Sequence, residues 1–225
     1  MKAIYILLFT LCSCVLYPQE DSQFTKPDYT LIEKNVKDKK STYYFKTLYD
    51  RFTKADSTMT MEEKRHLYYG YSFQEEYAPY SRSDAYKELN EILQKEELSK
   101  TDYEKILVLS EAILKVYPFS IRMKEYRIFS YKELAKYEEA ERETIQASII
   151  IDAILSTGDG TSKDNSFYVI NTMNEYELLN ILGFEFGGEQ RLVDGLYDYL
   201  TLNENSYNLK GFYFEVSRCL NSLKF

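Results

Sequence analysis

Apolar residues recur at the helical period through most of the chain and at a period of two only near its end, which predicts a mainly α protein with a small β part. Pro27 suits a first helical turn, and Asp28–Asp38 places Leu31, Ile32 and Val36 on one side. Tyr43–Thr53 spaces Tyr44, Phe45, Leu48, Tyr49 and Phe52 in the same way. Thr60 and Glu63 have the spacing of a capping box, in which hydroxyl and carboxylate each satisfy an orphan amide, and they open a helix reaching Tyr69 or Phe73. After a loop at Glu76–Ser83, Ser83 is placed to cap a helix from Asp84 to about Glu97, striped by Tyr86, Leu89, Ile92 and Leu93.

Thr101 and Glu104 repeat the capping-box spacing before a helix over Tyr103–Tyr117 that Pro118 stops. Ile121–Ala135 is the next helix, followed by one from Lys136 to about Leu155. Tyr131, Ala140 and Ala147 stand at the spacings of a tetratricopeptide unit, and Tyr103–Pro118 resembles the second helix of a preceding unit. Upstream, only the apolar stripe agrees with the repeat. The expectation is about three irregular helical hairpins rather than a long solenoid.

At Ser156 the character changes. Gly158-Asp159-Gly160-Thr161-Ser162 is turn material, followed by the apolar run Phe167–Ile170. Thr172 and Glu175 have capping-box spacing for a helix ending at Gly183, a natural residue for the left-handed position after a helix. Phe184/Phe186, a Gly187-Gly188 turn, Arg191–Val193, an Asp194-Gly195 turn, Tyr197–Leu202 and Gly211–Val216 then predict a short antiparallel meander. The predicted organisation is a leader and tether start over 1–19, a tetratricopeptide-like helical domain over 20–156, and a small α+β region over 157–225 packed on it.

The leader carries the address. Lys2, the apolar run Ala3–Leu11 and then Leu11-Cys12-Ser13-Cys14 have the layout of a bacterial export signal with a lipid-attachment site. The run is shorter than the about 20 residues of a membrane-spanning helix. The expected location is the periplasm or outer membrane, with Cys14 the candidate lipid anchor. Val15-Leu16-Tyr17 is unusually apolar for residues after a lipidated cysteine, so cleavage by an ordinary signal peptidase is the alternative.

Composition narrows the chemistry. The 225 residues include 23 Tyr and 13 Phe but no Trp, and the formal charge is -8. With no basic block to neutralise phosphates, nucleic acid is not an expected partner. A single histidine, His66, and the distance of Cys219 from it in sequence leave no evident Cys–His pair, and no cofactor or metal site is expected. Gly158–Ser162 lacks both the bidentate Glu of an EF-hand and the Lys of a phosphate-binding loop, so it reads first as a structural turn. The acid pairs Glu62/Glu63, Glu75/Glu76, Glu96/Glu97 and Glu138/Glu139 would support hydrolysis only if two converged across a cleft.

Two surfaces remain as binding candidates. Arg122, Glu125, Phe129 and Lys132 match the ligand-facing side of a tetratricopeptide hairpin's first helix, a face equally compatible with plain solvent exposure. The aromatic segment from Arg65 to Phe73, extended by Tyr77 and Tyr80, offers Tyr68, Tyr71, Tyr77 and Tyr80 for stacking on sugar rings, against the alternative of packing between helices.

Lys26-Pro27-Asp28-Tyr29, Arg65-His66-Leu67-Tyr68-Tyr69-Gly70-Tyr71 with Phe73, Gly158–Ser162, Phe167-Tyr168-Val169-Ile170 and Glu175-Tyr176 together make the chain resemble a family of uncharacterised exported proteins of Bacteroidetes type, defined by a domain of unknown function. The resemblance covers nearly the whole mature chain and implies that the helical and C-terminal parts occur as one unit. It carries no activity, cofactor or catalytic residue. The expected function is a non-enzymatic interaction or scaffold module of the cell envelope with a protein partner. A glycan- or peptidoglycan-fragment-binding module is the alternative and a hydrolase the third reading.

Overall fold

Side-chain caps from Asp28, Thr60, Ser99 and Ser120 fix the starts of four of the helices. The computed structural model describes residues 24–222, so the leader with Cys14 lies outside the described residues. Seven helices come first: α1 (Tyr29–Lys37), α2 (Phe45–Thr53), α3 (Met61–Gly70, extended by a 3-10 turn at Tyr71–Phe73), α4 (Ala85–Leu93), α5 (Lys100–Val116), α6 (Ile121–Glu133) and α7 (Tyr137–Leu155). The Thr60–Glu63 capping box forms as predicted. The box before α5 does not lie at Thr101/Glu104. It forms two residues earlier, where Ser99 and Asp102 satisfy each other's backbone amides and Lys95 pairs with Asp102 at 2.6 Å.

The C-terminal part contains β1 (Phe167–Tyr168), α8 (Met173–Ile181), β2 (Phe186–Val193), β3 (Tyr197–Leu202), β4 (Gly211–Glu215) and α9 (Ser217–Leu220). The sheet order is β1-β4-β3-β2. β2, β3 and β4 form the predicted antiparallel meander, and β1 adds a parallel edge through Phe167↔Phe214 and Tyr168↔Glu215. Gly187-Gly188 is not a turn. It lies inside β2 at a register shift between Phe186 and Gln190, where the Thr201 hydroxyl fills the gap by accepting from Glu189 N–H and donating to its carbonyl. The Thr172–Glu175 box also does not form: Asn171 accepts the Met173 amide instead, and Glu175 turns into the interior. Gly183 takes the left-handed conformation (φ 77°) that ends α8.

One core joins the two parts. Ile149, Ile150 and Ala153 of α7 pack with Leu67 and Tyr68 of α3 and with Phe167, Leu178, Leu200 and Phe214 of the C-terminal layer. A smaller cluster of Leu89, Ile92, Ile106, Ile113 and Met123 holds α4, α5 and α6 together. The Gly158–Ser162 loop is built into the sheet: Gly160 N–H donates to Asn165, and Tyr213 N–H donates to the Gly160 carbonyl. A Cβ on Gly160 (φ 74°) would lie 2.4 Å from the Phe167 ring.

A buried polar hub fixes α8 against the helices. Glu177 accepts from Ser120 Oγ (2.7 Å), Ile121 N–H (3.1 Å), Arg122 N–H (3.1 Å) and Asn174 Nδ2 (2.6 Å), so one carboxylate occupies the start of α6. Burial pushes its carboxyl above the ordinary range, against the pull of those donors. Asn174 Oδ1 accepts from the hydroxyls of Tyr68 (2.7 Å) and Tyr117 (2.6 Å). Removing the acceptor strands buried donors at a cost on the order of 3 kcal/mol. Glu177→Ala is therefore expected to lower urea-denaturation stability by about that amount. Glu177→Gln, which keeps one acceptor oxygen, is expected to lose less, and an Ala variant indistinguishable from wild type would contradict the role assigned to the hub.

Candidate functional site

A cavity lies where α2, α5, α6 and α7 meet. It encloses about 400 Å³ and is lined by Tyr49 and Phe52 of α2, Glu111 and Lys115 of α5, and charged residues of α6 and α7. Its floor is a buried ion network. Glu143 of α7 receives Lys124 Nζ at 2.8 Å on one oxygen and Arg127 Nε at 2.6 Å on the other. Lys124 also donates to Gln146 Oε1 at 2.5 Å and sits over the Phe52 ring, and Gln146 Nε2 reaches back to the Thr53 carbonyl at the end of α2. Arg127 donates to the Leu107 carbonyl and the Tyr131 hydroxyl, and pairs with Glu111 at 3.2 Å.

Burial pulls the Lys124 ammonium below its ordinary value, with Glu143 opposing. The floor thus holds its charged groups in fixed positions before any ligand arrives, which lowers the ordering cost of binding. Lys115 and Arg142 line the same cavity with no ion-pair partner among the described residues. A second cavity of about 410 Å³ shares Tyr49, Lys115 and Pro118 with the first and continues along Tyr44, Phe45, Lys46, Tyr71, Gln74 and Glu76. The two chambers adjoin along α2, with those three residues as shared walls.

Of the binding residues singled out from the sequence, only Tyr71 lines these chambers. Arg122, Glu125, Phe129 and Lys132 lie together on the opposite face of α6 from Lys124, Arg127 and Tyr131. Arg122 and Glu125 pair at 3.7 Å, and Phe129, 51% exposed, meets the Tyr103 ring edge-on. The four tyrosines do not form one platform. Tyr68 is 0% exposed, Tyr71 is buried, Tyr77 is half-buried with its hydroxyl on the Ile170 carbonyl, and only Tyr80, at 45%, is open to solvent. Tyr68 thus has no ring face to offer a ligand, because its hydroxyl and ring are committed to the core. Tyr71 still contributes an edge to the second chamber.

His66 stacks on Tyr43 (4.1 Å), accepts from Asn35 Nδ2 and, as the Nδ1–H tautomer, donates to the Glu62 carbonyl; burial pulls it below its ordinary value. The Cys219 thiol is buried and pushed up to about 12, chiefly by desolvation, and at neutral pH it is a protonated thiol rather than a nucleophile. At the Gly158–Ser162 loop, Asp159 turns back to accept from Thr161 N–H, and Asp164 just beyond it has a fully exposed side chain that pairs with Lys26 at 3.8 Å. No group of three or more metal-ligating side chains converges among the described residues.

Lys124, Arg127, Glu143 and Gln146 were not singled out by sequence pattern. The available signal was the facing rows Lys124/Arg127/Tyr131 and Glu139/Glu143/Gln146 at helical spacing on consecutive helices, which read equally as solvated charge.

Fold and site together define a mainly α protein with a small C-terminal sheet, in which α2, α5, α6 and α7 line two adjoining chambers. Residues 30–224 match the family described as a domain of unknown function, DUF4919, and the chain belongs to it. No curated protein and no solved structure matches the chain.

The network predicts an asymmetry. Glu143→Leu leaves two buried cations without their shared acceptor and is expected to cost about 3–5 kcal/mol in chemical denaturation. Lys124→Met leaves the Glu143–Arg127 pair intact and removes a desolvated charge, so it is expected to cost less than about half as much. Equal losses would contradict Glu143 as the centre of the network.

Proposed function

We propose that this protein is a non-catalytic interaction module that holds an extended segment of a partner protein in a groove formed by the two chambers along α2. The observation that carries the reading is that two adjoining chambers share Tyr49, Lys115 and Pro118 as walls, a layout long enough for an extended segment. Tyr and Arg are favoured at protein interfaces because they combine apolar area with directed polar contacts. The rim adds Lys46, Lys115 and Arg142 as well as Glu76 and Glu139, and this mixture of signs suits a polypeptide that carries both kinds of side chain. α4–α5 and α6–α7 act in this reading as irregular tetratricopeptide-like hairpins. The Met1–Cys14 leader delivers the module to the periplasm or outer membrane, with Cys14 as the lipid anchor.

A glycan fragment is the second reading, supported by the ring-rich second chamber of Tyr44, Phe45, Tyr49 and Tyr71. Photo-crosslinking separates the faces. A crosslinker at Lys115 or Arg142 is expected to capture a discrete protein in envelope extracts, whereas one at Arg122 or Phe129 captures none. Capture only from the Phe129 face would overturn the groove as the site. Binding of Tyr49 variants and wild type to a glycan array, with a loss in Tyr49→Ala and no protein crosslink, would favour the second reading.

A further inference from the structure

Glu175 occupies the third position of α8, where a carboxylate ordinarily turns back to cap the helix. It points into the interior instead and is 0% exposed. A local rule broken at a titratable buried group is where a role beyond packing is to be sought. Asp198 of β3 faces it, and Gln190 of β2 straddles the two acids: its Nε2 donates to Glu175 Oε2 at 3.3 Å and to Asp198 Oδ2 at 2.8 Å, while its Oε1 accepts from the Tyr176 hydroxyl. Neither carboxyl has a basic partner among the described residues.

Glu175 Oε1 receives no N–H or neutral hydroxyl. A protonated Glu175 carboxyl can donate to the neighbouring Asp198 carboxylate, which an ionised one cannot. Burial, and then the neighbouring Asp198, hold the Glu175 carboxyl well above the ordinary carboxylate range. A buried carboxyl beside a second, half-buried one ionises only against desolvation and like-charge repulsion.

We propose that Glu175 and Asp198 form a proton-operated latch: the shared proton holds the β2–β3 hairpin against α8, and its loss to solvent frees the hairpin. The hairpin is suited to move as a unit. Its outer strand is exposed along most of its length, and its contacts to α8 include the Gln190 bridge and the edge-on Tyr176–Phe186 pair at 5.2 Å.

Other elements also face the acids. Tyr77 and Tyr80 of the segment before α4 have hydroxyls pushed up by burial, and the Cys219 thiol of α9 is pushed up to about 12, so these three stay protonated while Glu175 titrates. Glu215 of β4, also raised by burial, is held by Ser217 N–H. Arg218 of α9 is committed to Ser72 and stacked on Phe73 at 4.2 Å.

The sign follows from the raised closed-state value. The latch is fully stabilising below the ordinary carboxyl range near pH 4, and its contribution is lost as pH rises toward the closed-state value. Between those limits opening releases one proton, so the opening equilibrium rises about tenfold per pH unit. Hydrogen exchange of the intact protein between about pH 5 and about pH 9, corrected for intrinsic exchange, reads this directly.

In wild type, protection of β2–β3 amides is expected to fall with that slope while α5–α7 amides hold theirs. In Glu175→Gln, whose amide still donates to Asp198, the slope should vanish and protection persist at high pH. A flat wild-type profile, or the same slope in Glu175→Gln, would overturn the latch. Carbon-13 titration of the Glu175 carboxyl in wild type needs no variant. A midpoint in the ordinary carboxyl range would also overturn it, and one well above supports it.

Discussion

A buried carboxylate must collect enough donors to replace its lost water, and the arrangement of this protein depends on how Glu177 does so. Its donors come from Ser120 and the first amides of α6 and from Asn174, which in turn receives hydroxyls from α3 and from Tyr117 just beyond α5. The start of α6 is also where a helix favours negative charge. Satisfying one ion therefore sets the distance between the C-terminal layer and the α6–α7 hairpin. Because the groove floor is made by α6 and α7 against α2, its shape is tied to a carboxylate of α8 docked at the start of α6.

Sequence pattern located the elements well where local chemistry decides and poorly where tertiary contacts do. The Thr60–Glu63 box, the end of α5 before Pro118 and the glycine after α8 depend on neighbours within one turn. Thr172–Glu175 has the same local signature as Thr60–Glu63, yet it yields to Asn171 and to the interior partners Gln190 and Asp198. The pair Gly187-Gly188 is compatible with both a turn and a bulge, and only the register against β3 distinguishes them. β1 is two residues long and pairs in parallel with a strand more than forty positions away, a contact no local pattern encodes. The groove was less legible still, since Lys124 and Glu143 look like surface charge until the helices are laid side by side.

The abundance of tyrosine also acquires a reason. Tyr68, Tyr69 and Tyr117 are buried rings whose hydroxyls end on Asn174 or on backbone carbonyls, so they carry hydrogen bonds across the core as well as filling it. The segments that carry the family resemblance converge there. Arg65 reaches the Lys26 carbonyl, Tyr29 meets Tyr69 and Phe73 edge-on, and the Tyr69 hydroxyl reaches the Tyr168 carbonyl. Those motifs describe the seam between the helical and C-terminal parts, and of the residues lining the two chambers only Tyr71 belongs to them.

The bulge in β2 has a consequence for how the molecule behaves among its own copies. β2 is the open edge of the sheet, and an open edge offers unpaired backbone groups to any passing strand. Here the edge is kinked at its glycine pair and carries Glu189 and Arg191 facing solvent, while the opposite edge strand, β1, is only two residues long. A foreign strand would find no straight, uncharged stretch along which to pair. The same irregularity that spoils the regular ladder thus works against sheet-to-sheet aggregation.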